Sequence, residues 1–154
     1  MIYLLDTCVI SEVIAKQPNQ QVLDWLDAQV PETLYLSVIT IGEIAKGISK
    51  LTASKRKESL TKWLNEILPN RFEHRILSID VSTMVLWGNL VGQLEQNGRP
   101  LPIMDSLIAA LAKPAVRVAS CREGIALQNS LSLVTRNEND FTGTGVVIVN
   151  PWSV

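Results

Sequence analysis

The chain reads as an α/β protein, a three-layer α/β/α sandwich built on a mainly parallel sheet. Three observations predict this. Short apolar, β-prone runs alternate with stretches of helical periodicity, and strands separated by helices imply parallel crossovers. The 154 residues are 47% hydrophobic and 19% charged, enough to bury a core and too apolar to stay disordered. Acids recur where the strands end, the edge at which open parallel sheets bind their ligands.

Ile2-Tyr3-Leu4-Leu5 is apolar throughout and reads as a short buried strand. Asp6 or Thr7 can cap a following helix with Val9, Ile10, Val13 and Ile14 on its inner face. Pro18-Asn19 breaks that helix, and Val22, Leu23, Leu26 and Val30 mark a second one. Leu34 to Val38 is the next strand. Thr40 is placed to cap a third helix with the stripe Ile41, Ile44, Ala45, Ile48 and Leu51. Leu60, Leu64, Ile67 and Leu68 define a fourth, which Pro69-Asn70 stops.

Ile76 to Ile79 is a third strand. Met84, Trp87, Val91 and Leu94 share one face of a long helix closed by Asn97-Gly98. After Pro100 and Pro102, Asp105 opens a helix holding Leu107, Ile108 and Leu111. Leu131 to Thr135 is a strand, and Gly143-Thr144-Gly145 turns into a last one, Val146 to Val149. No repeat, low-complexity tract or linker interrupts this pattern, so residues 1–154 are expected to form a single domain.

Composition excludes several classes. With 8 Gly, 7 Pro and 2 Cys, the chain is neither collagen-like nor a disulfide scaffold. No apolar run approaches the ~20 residues of a membrane span. The first residues lack the basic region of a signal peptide. A cytoplasmic protein with no membrane association is expected.

The net charge is −1, but it is unevenly placed. Residues 1–45 carry Lys16 against Asp6, Glu12, Asp24, Asp27, Glu32 and Glu43, a balance of −5. Residues 46–75 carry Lys46, Lys50, Lys55, Arg56, Lys57, Lys62, Arg71 and Arg75 against Glu58, Glu66 and Glu73, a balance of +5. An acidic site beside a basic surface fits that division, as does a pair of solvated helix faces.

Asp6 lies just past the first strand, and Glu43 in the first turn of the helix after the second. Asp105 starts the helix before the fourth strand, and Asn137 and Asp140 follow that strand. Taken singly, Asp6 and Asp105 read as helix caps and Glu43 as a solvated first-turn acid. Taken together, they occupy one edge of a parallel sheet.

Clustered carboxylates raise one another's pKa unless a cation neutralises them. A set of oxygen ligands suits Mg²⁺ or Mn²⁺, which accept phosphate oxygens and activate water. The single histidine, His74, cannot build a His-rich zinc site. No Gly-rich phosphate loop, nucleophile elbow or Cys-His signature is present. Cys8 reads as a small packing residue rather than a nucleophile.

Four segments now carry a resemblance. Tyr3-Leu4-Leu5-Asp6-Thr7-Cys8-Val9-Ile10-Ser11-Glu12 resembles the opening of a PIN-domain protein. The match continues in Leu36-Ser37-Val38-Ile39-Thr40-Ile41-Gly42-Glu43-Ile44, in Met104-Asp105-Ser106-Leu107-Ile108-Ala109-Ala110 and in Leu133 to Phe141. The ending Asn150-Pro151-Trp152 is similar to the FitB-like branch of the VapC toxins.

The resemblance implies a PIN-like sandwich and a type II toxin, an Mg²⁺-dependent endoribonuclease (Mn²⁺ being an alternative ion) inhibited by a cognate antitoxin. Asp6, Glu43 and Asp105 would carry the metal, with the fourth site position at Asn137 or Asp140. Homodimers are implied as well, and the many apolar positions, Trp25, Trp63, Trp87 and Trp152 among them, exceed what one small core takes up.

The chain departs from the family pattern in two places. Cys8 stands where the family usually has Asn, and a thiol hydrogen-bonds poorly. Residues 111–124, with Pro114 and Gly124, look like an insertion into a helix that normally runs on. A PIN fold without catalysis, binding nucleic acid or a partner protein, is the alternative these departures favour; a phosphatase-like metal hydrolase is a weaker third.

Overall fold

The computed structural model describes residues 1–113 and 131–153. Five parallel strands form one sheet: β1 (Tyr3–Leu5), β2 (Leu34–Ser37), β3 (Ile76–Leu77), β4 (Ser132–Val134) and β5 (Ile148–Val149). Their order is β3-β2-β1-β4-β5. The chain moves outward from β1 in one direction, then returns to its other side at β4. The crevice between β1 and β4 is therefore the switch point of the sheet, where such folds place their sites.

Among the described residues, seven α-helical segments cover the sheet: α1 (Thr7–Val13), α2 (Gln20–Asp27), α3 (Val38–Ser49), α4 (Lys55–Lys62), α5 (Leu68–Arg71), α6 (Val81–Gln96) and α7 (Ile103–Ala112). Two apolar clusters lie on the sheet's faces. One joins Leu5, Leu36 and Val134 to Val9, Ile10, Val22, Ile44, Leu64 and Phe72. The other joins Leu4 and Leu133 to Leu90, Leu94, Ile108, Leu111 and Phe141. The expected α/β/α layering is present. Burying both faces explains why the strands are apolar throughout instead of alternating.

Several local expectations are corrected. Ser37, not Thr40, caps α3: its Oγ accepts from the Thr40 N–H at 3.0 Å. Thr40 is buried, and its hydroxyl donates to the Leu5 carbonyl at 3.3 Å, tying α3 to β1. The buried face of α3 is Ile39, Thr40, Ile44 and Ile48, while Leu51 is exposed.

Pro69-Asn70 does not stop a helix. A π-helical turn over Trp63–Ile67 precedes α5, and the Leu68 N–H reaches back five residues to the Trp63 carbonyl. This wider turn lets Pro69 enter at the start of α5, where its missing N–H costs little. Met84 is exposed, because α6 buries Thr83, Leu90 and Leu94 instead.

Helix α7 starts at Ile103, two residues before Asp105, so Asp105 sits in its first turn and does not cap it. The helix ends at Ala112. Lys113 is extended, as a residue before proline tends to be. Leu131 re-enters the fold by donating its N–H to the Ala112 carbonyl at 2.9 Å. The rest of the suspected insertion, from Pro114 to Gly124, lies outside the described residues.

Candidate active site

The site is built on the carboxyl ends of β1 and β4. Asp6 follows β1 and caps α1, its Oδ1 accepting the Thr7 N–H at 2.7 Å. Its Oδ2 accepts the hydroxyl of buried Thr135 at 2.7 Å and the Cys8 thiol at 3.3 Å. Thr135 in turn accepts the Asn137 N–H at 3.1 Å, and Cys8 accepts the Arg136 N–H at 3.5 Å. Asp6 is only 5% exposed, and this web of donors is what makes a buried carboxylate tolerable.

Glu43 is partly buried in the first half of α3, and its carboxylate accepts the Thr7 hydroxyl. Asp105 is partly buried at the start of α7. That helix is held against α6 through the next residue: Trp87 Nε1 donates to Ser106 Oγ at 2.8 Å, and Ser106 Oγ donates to the Ile103 carbonyl. Asp140 lies in a 3₁₀ turn over Glu138–Phe141, anchored by buried Phe141. Asn137 is exposed at the start of that turn, with no side-chain capping bond.

The electrostatics show which acids converge. The Asp105 carboxyl is pushed from its ordinary 3.8 up to about 6 by burial first, then by the charges of Asp6, Asp140 and Glu43. Asp6, Glu43 and Asp140, from three other segments, thus lie within electrostatic reach of Asp105. Asn137 brings no charge to it, and of the two residues after β4 it is Asp140 that acts on Asp105. Burial and the Asp6 charge push the Cys8 thiol up to about 11, so it stays protonated and is neither a nucleophile nor a metal-ligating thiolate at neutral pH.

Among the described residues, no three His, Cys, Asp or Glu side chains close around a common point as a ready cage for a metal ion. The donor chemistry still fits a hard divalent cation. The facing groups are carboxylates, their mutual repulsion is unrelieved, and Mg²⁺ or Mn²⁺ retains several waters that span the remaining distance.

Thr7 and Thr135 were not singled out from the sequence. Each orients an acid, Thr7 holding Glu43 and Thr135 holding Asp6. A threonine beside an acid at a strand end was the available signal, but only the fold supplies the partners.

Open α/β sheets hold their ligands at such a switch point, and carboxylates placed there suit a divalent metal ion. Residues 3–144 match the model of the PIN domain, and the chain belongs to that family. It is 38% identical to the plasmid stability protein StbB of Pseudomonas syringae pv. tomato over 97% of each chain. It is 33% identical to the VapC ribonuclease Y4jK of Sinorhizobium fredii, covering 97% of this chain and 96% of that one. The crystal structure of FitAcB from Neisseria gonorrhoeae is similar, with a TM-score of 0.85 and 33% identity over 99% of this chain and 100% of that chain. PIN-domain ribonucleases are metal-dependent enzymes.

Proposed function

We propose that this protein is the toxin of a toxin–antitoxin pair, an endoribonuclease that hydrolyses RNA phosphodiesters with Mg²⁺ or Mn²⁺. The observation that carries the reading is the placement of Asp6 and Asp105 at the starts of α1 and α7, Glu43 in the first half of α3 and Asp140 in the turn after β4, in a chain that matches the PIN domain. A nucleic-acid binder without catalysis gains nothing from four acids that would repel its ligand. Naming the ribonuclease Y4jK as a relative supports the same chemistry.

A bound divalent ion would polarise the phosphodiester and activate water. Asp6, held rigid by Thr7, Thr135 and Cys8, would be the fixed anchor for it. Glu43 and Asp105 would complete the set, and Asp140 takes the fourth position in preference to Asn137. Thr7 fixes the orientation of Glu43. The Cys8 thiol does weakly what an Asn would do there, donating to Asp6.

An antitoxin partner is supported by an apolar cleft between α1, α2 and the segment from Trp63 to Phe72. It is lined by Ile10, Val13, Leu26, Trp63, Ile67 and Phe72, with Arg71 at its edge. Ile67 is 53% exposed. An amphipathic segment carrying an acidic residue suits such a cleft. Self-association is supported by Val81, Met84 and Val85, which stand exposed on the first turns of α6. The tryptophans do not support it: all four are partly buried, with Trp25 and Trp63 packed on the core and Tyr3 edge-on to Trp25 at 5.2 Å. Among the described residues no helix is long and apolar enough to cross a membrane, and we place the toxin in the cytoplasm with its RNA substrate.

Purified protein should cleave single-stranded RNA only with added Mg²⁺ or Mn²⁺, and Asp6→Asn should abolish cleavage. Millimolar Mn²⁺ should raise the melting temperature of the wild type and not of Asp6→Asn, because an ion that binds only the folded state stabilises it. RNA left intact at every ion concentration would refute the ribonuclease reading.

A further inference from the structure

A second cleft, of about 390 Å³, opens beside the carboxylates, with Arg99, Pro100, Pro102, Asn139, Asp140 and Thr142 along its walls. We propose that Arg99 binds an RNA backbone phosphate next to the scissile one, so that the cleft is a substrate subsite continuous with the acidic centre. The inference rests on the ribonuclease reading and names the residue through which that site holds its polyanionic substrate.

The backbone of Arg99 is fixed. Its N–H donates to the Leu94 carbonyl at 2.9 Å, and the Gly98 N–H donates to the Glu95 carbonyl at 3.0 Å. With Gly98 at φ +67°, these two bonds form the Schellman motif that ends α6. The side chain is launched from a helix terminus rather than from a floppy loop.

The side chain also has a seat. It lies over Gly143, whose φ is +85°; a Cβ there would stand 3.6 Å from Arg99 Nη1 and 3.8 Å from Leu94 Cδ2. A side chain at 143 would meet the guanidinium at ordinary contact distance, so it is the positive φ that favours glycine there, while Pro100 and Pro102 stiffen the cleft wall.

The donors of Arg99 are uncommitted. Arg56 donates to the Ile14 carbonyl, Arg75 to the carbonyls of Pro31 and Leu34, and Arg136 lies over the Trp152 ring. Among the described residues no hydrogen bond or ion pair engages the Arg99 side chain. Asp140 lines the same cleft without forming an ion pair with it. A planar fork of free N–H donors facing a cleft is suited to bidentate binding of phosphate.

Charge balance asks for such a group. One divalent ion cannot neutralise four facing carboxylates, so an RNA strand crossing this rim meets net negative charge. Arg99 supplies a positive charge beside Asp140, where the strand would leave the centre.

The test is steady-state cleavage of a single-stranded oligoribonucleotide by wild type, Arg99→Gln and Arg99→Lys at several salt concentrations. Arg99→Gln should raise KM roughly tenfold, the scale of one charge-assisted contact, with kcat nearly unchanged. It should flatten the dependence of log(kcat/KM) on log salt by about 0.7, one phosphate's worth on a single strand. Arg99→Lys should keep the salt slope with an intermediate KM. A neutral methylphosphonate beside the scissile phosphate should raise KM for the wild type and not for Arg99→Gln. Equal unfolding midpoints should show that the variants fold alike. If the wild type cleaves, Asp6→Asn does not, and Arg99→Gln keeps the wild-type KM and slope, this inference falls while the ribonuclease reading stands. If the wild type cleaves no RNA, both fall.

Discussion

Asp6 and Thr135 are 129 residues apart in sequence, and their hydrogen bond is the keystone of the acidic centre. Thr135→Val keeps the side-chain shape but removes a donor to a buried carboxylate and an acceptor for the Asn137 N–H. The expected cost is about 1.5–3 kcal/mol, the range for hydrogen bonds to charged groups, read from urea denaturation. RNA cleavage should fall with it, because Asp6 loses its orientation. Cys8, a weak donor, holds the same oxygen at 3.3 Å and cannot compensate.

Asp105 makes a prediction in pH. Its folded-state pKa is raised, so between 3.8 and about 6 the folded protein holds a proton that the unfolded chain releases. The stability of the metal-free protein therefore falls as pH rises through this window, and the deficit persists above it. Asp105→Asn removes the charge. Without divalent ions, the variant should melt above the wild type at about pH 7, with the difference shrinking toward about pH 4. Calorimetry at the two pH values checks this. The same variant should cleave no RNA, so that the group which destabilises the empty site is one the reaction requires.

At the scale of elements, the junction after α7 carries the clearest prediction. Leu111 and Ala112 are buried at the end of the helix, and Leu131 hydrogen-bonds back to Ala112. The described residues on either side of this junction thus meet at one point. Deleting residues 111–124 joins Ala110 to Ile125 and puts Ile125-Ala126 where Leu111-Ala112 stand, a near volume-conserving exchange. The variant should fold, melt no lower than the parent and keep its response to Mn²⁺. A deletion variant that fails to fold where the parent folds would make the segment part of the core.

The basic stretch shows how elements reassign charges that look alike in sequence. Arg56 donates to Ile14, and Lys57 donates to the Ser49 and Leu51 carbonyls at 2.9 and 2.8 Å. Arg75 ties α5 to β2 through the Arg71 and Leu34 carbonyls. These cations brace turns and helix ends. Lys50 and Lys55 are exposed and stay available to a polyanion, and Lys62 makes only a long surface pair with Glu66 at 4.0 Å, which is worth little.

For the whole molecule, the exposed stripe Val81, Met84 and Val85 is an apolar surface of the kind that marks self-association. The wild type should sediment as a dimer at micromolar concentration without antitoxin, and a Val81→Asp/Val85→Asp variant as a monomer with an unchanged melting profile. A monomeric wild type would remove the dimer.

The alternation of apolar strands with 3.6-periodic helices, the possible cap at Asp6 and the Gly98 helix end were legible in the chain alone, because each depends on residues within a turn or two of one another, where local sterics and hydrogen bonding decide. The candidate acids Asp6, Glu43 and Asp105 were legible from their place at strand ends and from the family resemblance. Tertiary structure alone decided the rest. The proposed preference for Asp140 over Asn137 as the fourth acid rests on where a 3₁₀ turn lies against α7. The pairing of Thr7 with Glu43 and Thr135 with Asp6 depends on strand order. The buried faces of α3 and α6 differ from their apolar stripes because Thr40 and Thr83 find partners inside: Thr40 donates to Leu5, Thr83 to Asp80. Arg99 does not stand out among fourteen basic residues, because an uncommitted guanidinium is recognised by the cleft it faces, and that cleft exists only once the segment between α6 and α7 lies beside the turn at Asn139 to Thr142.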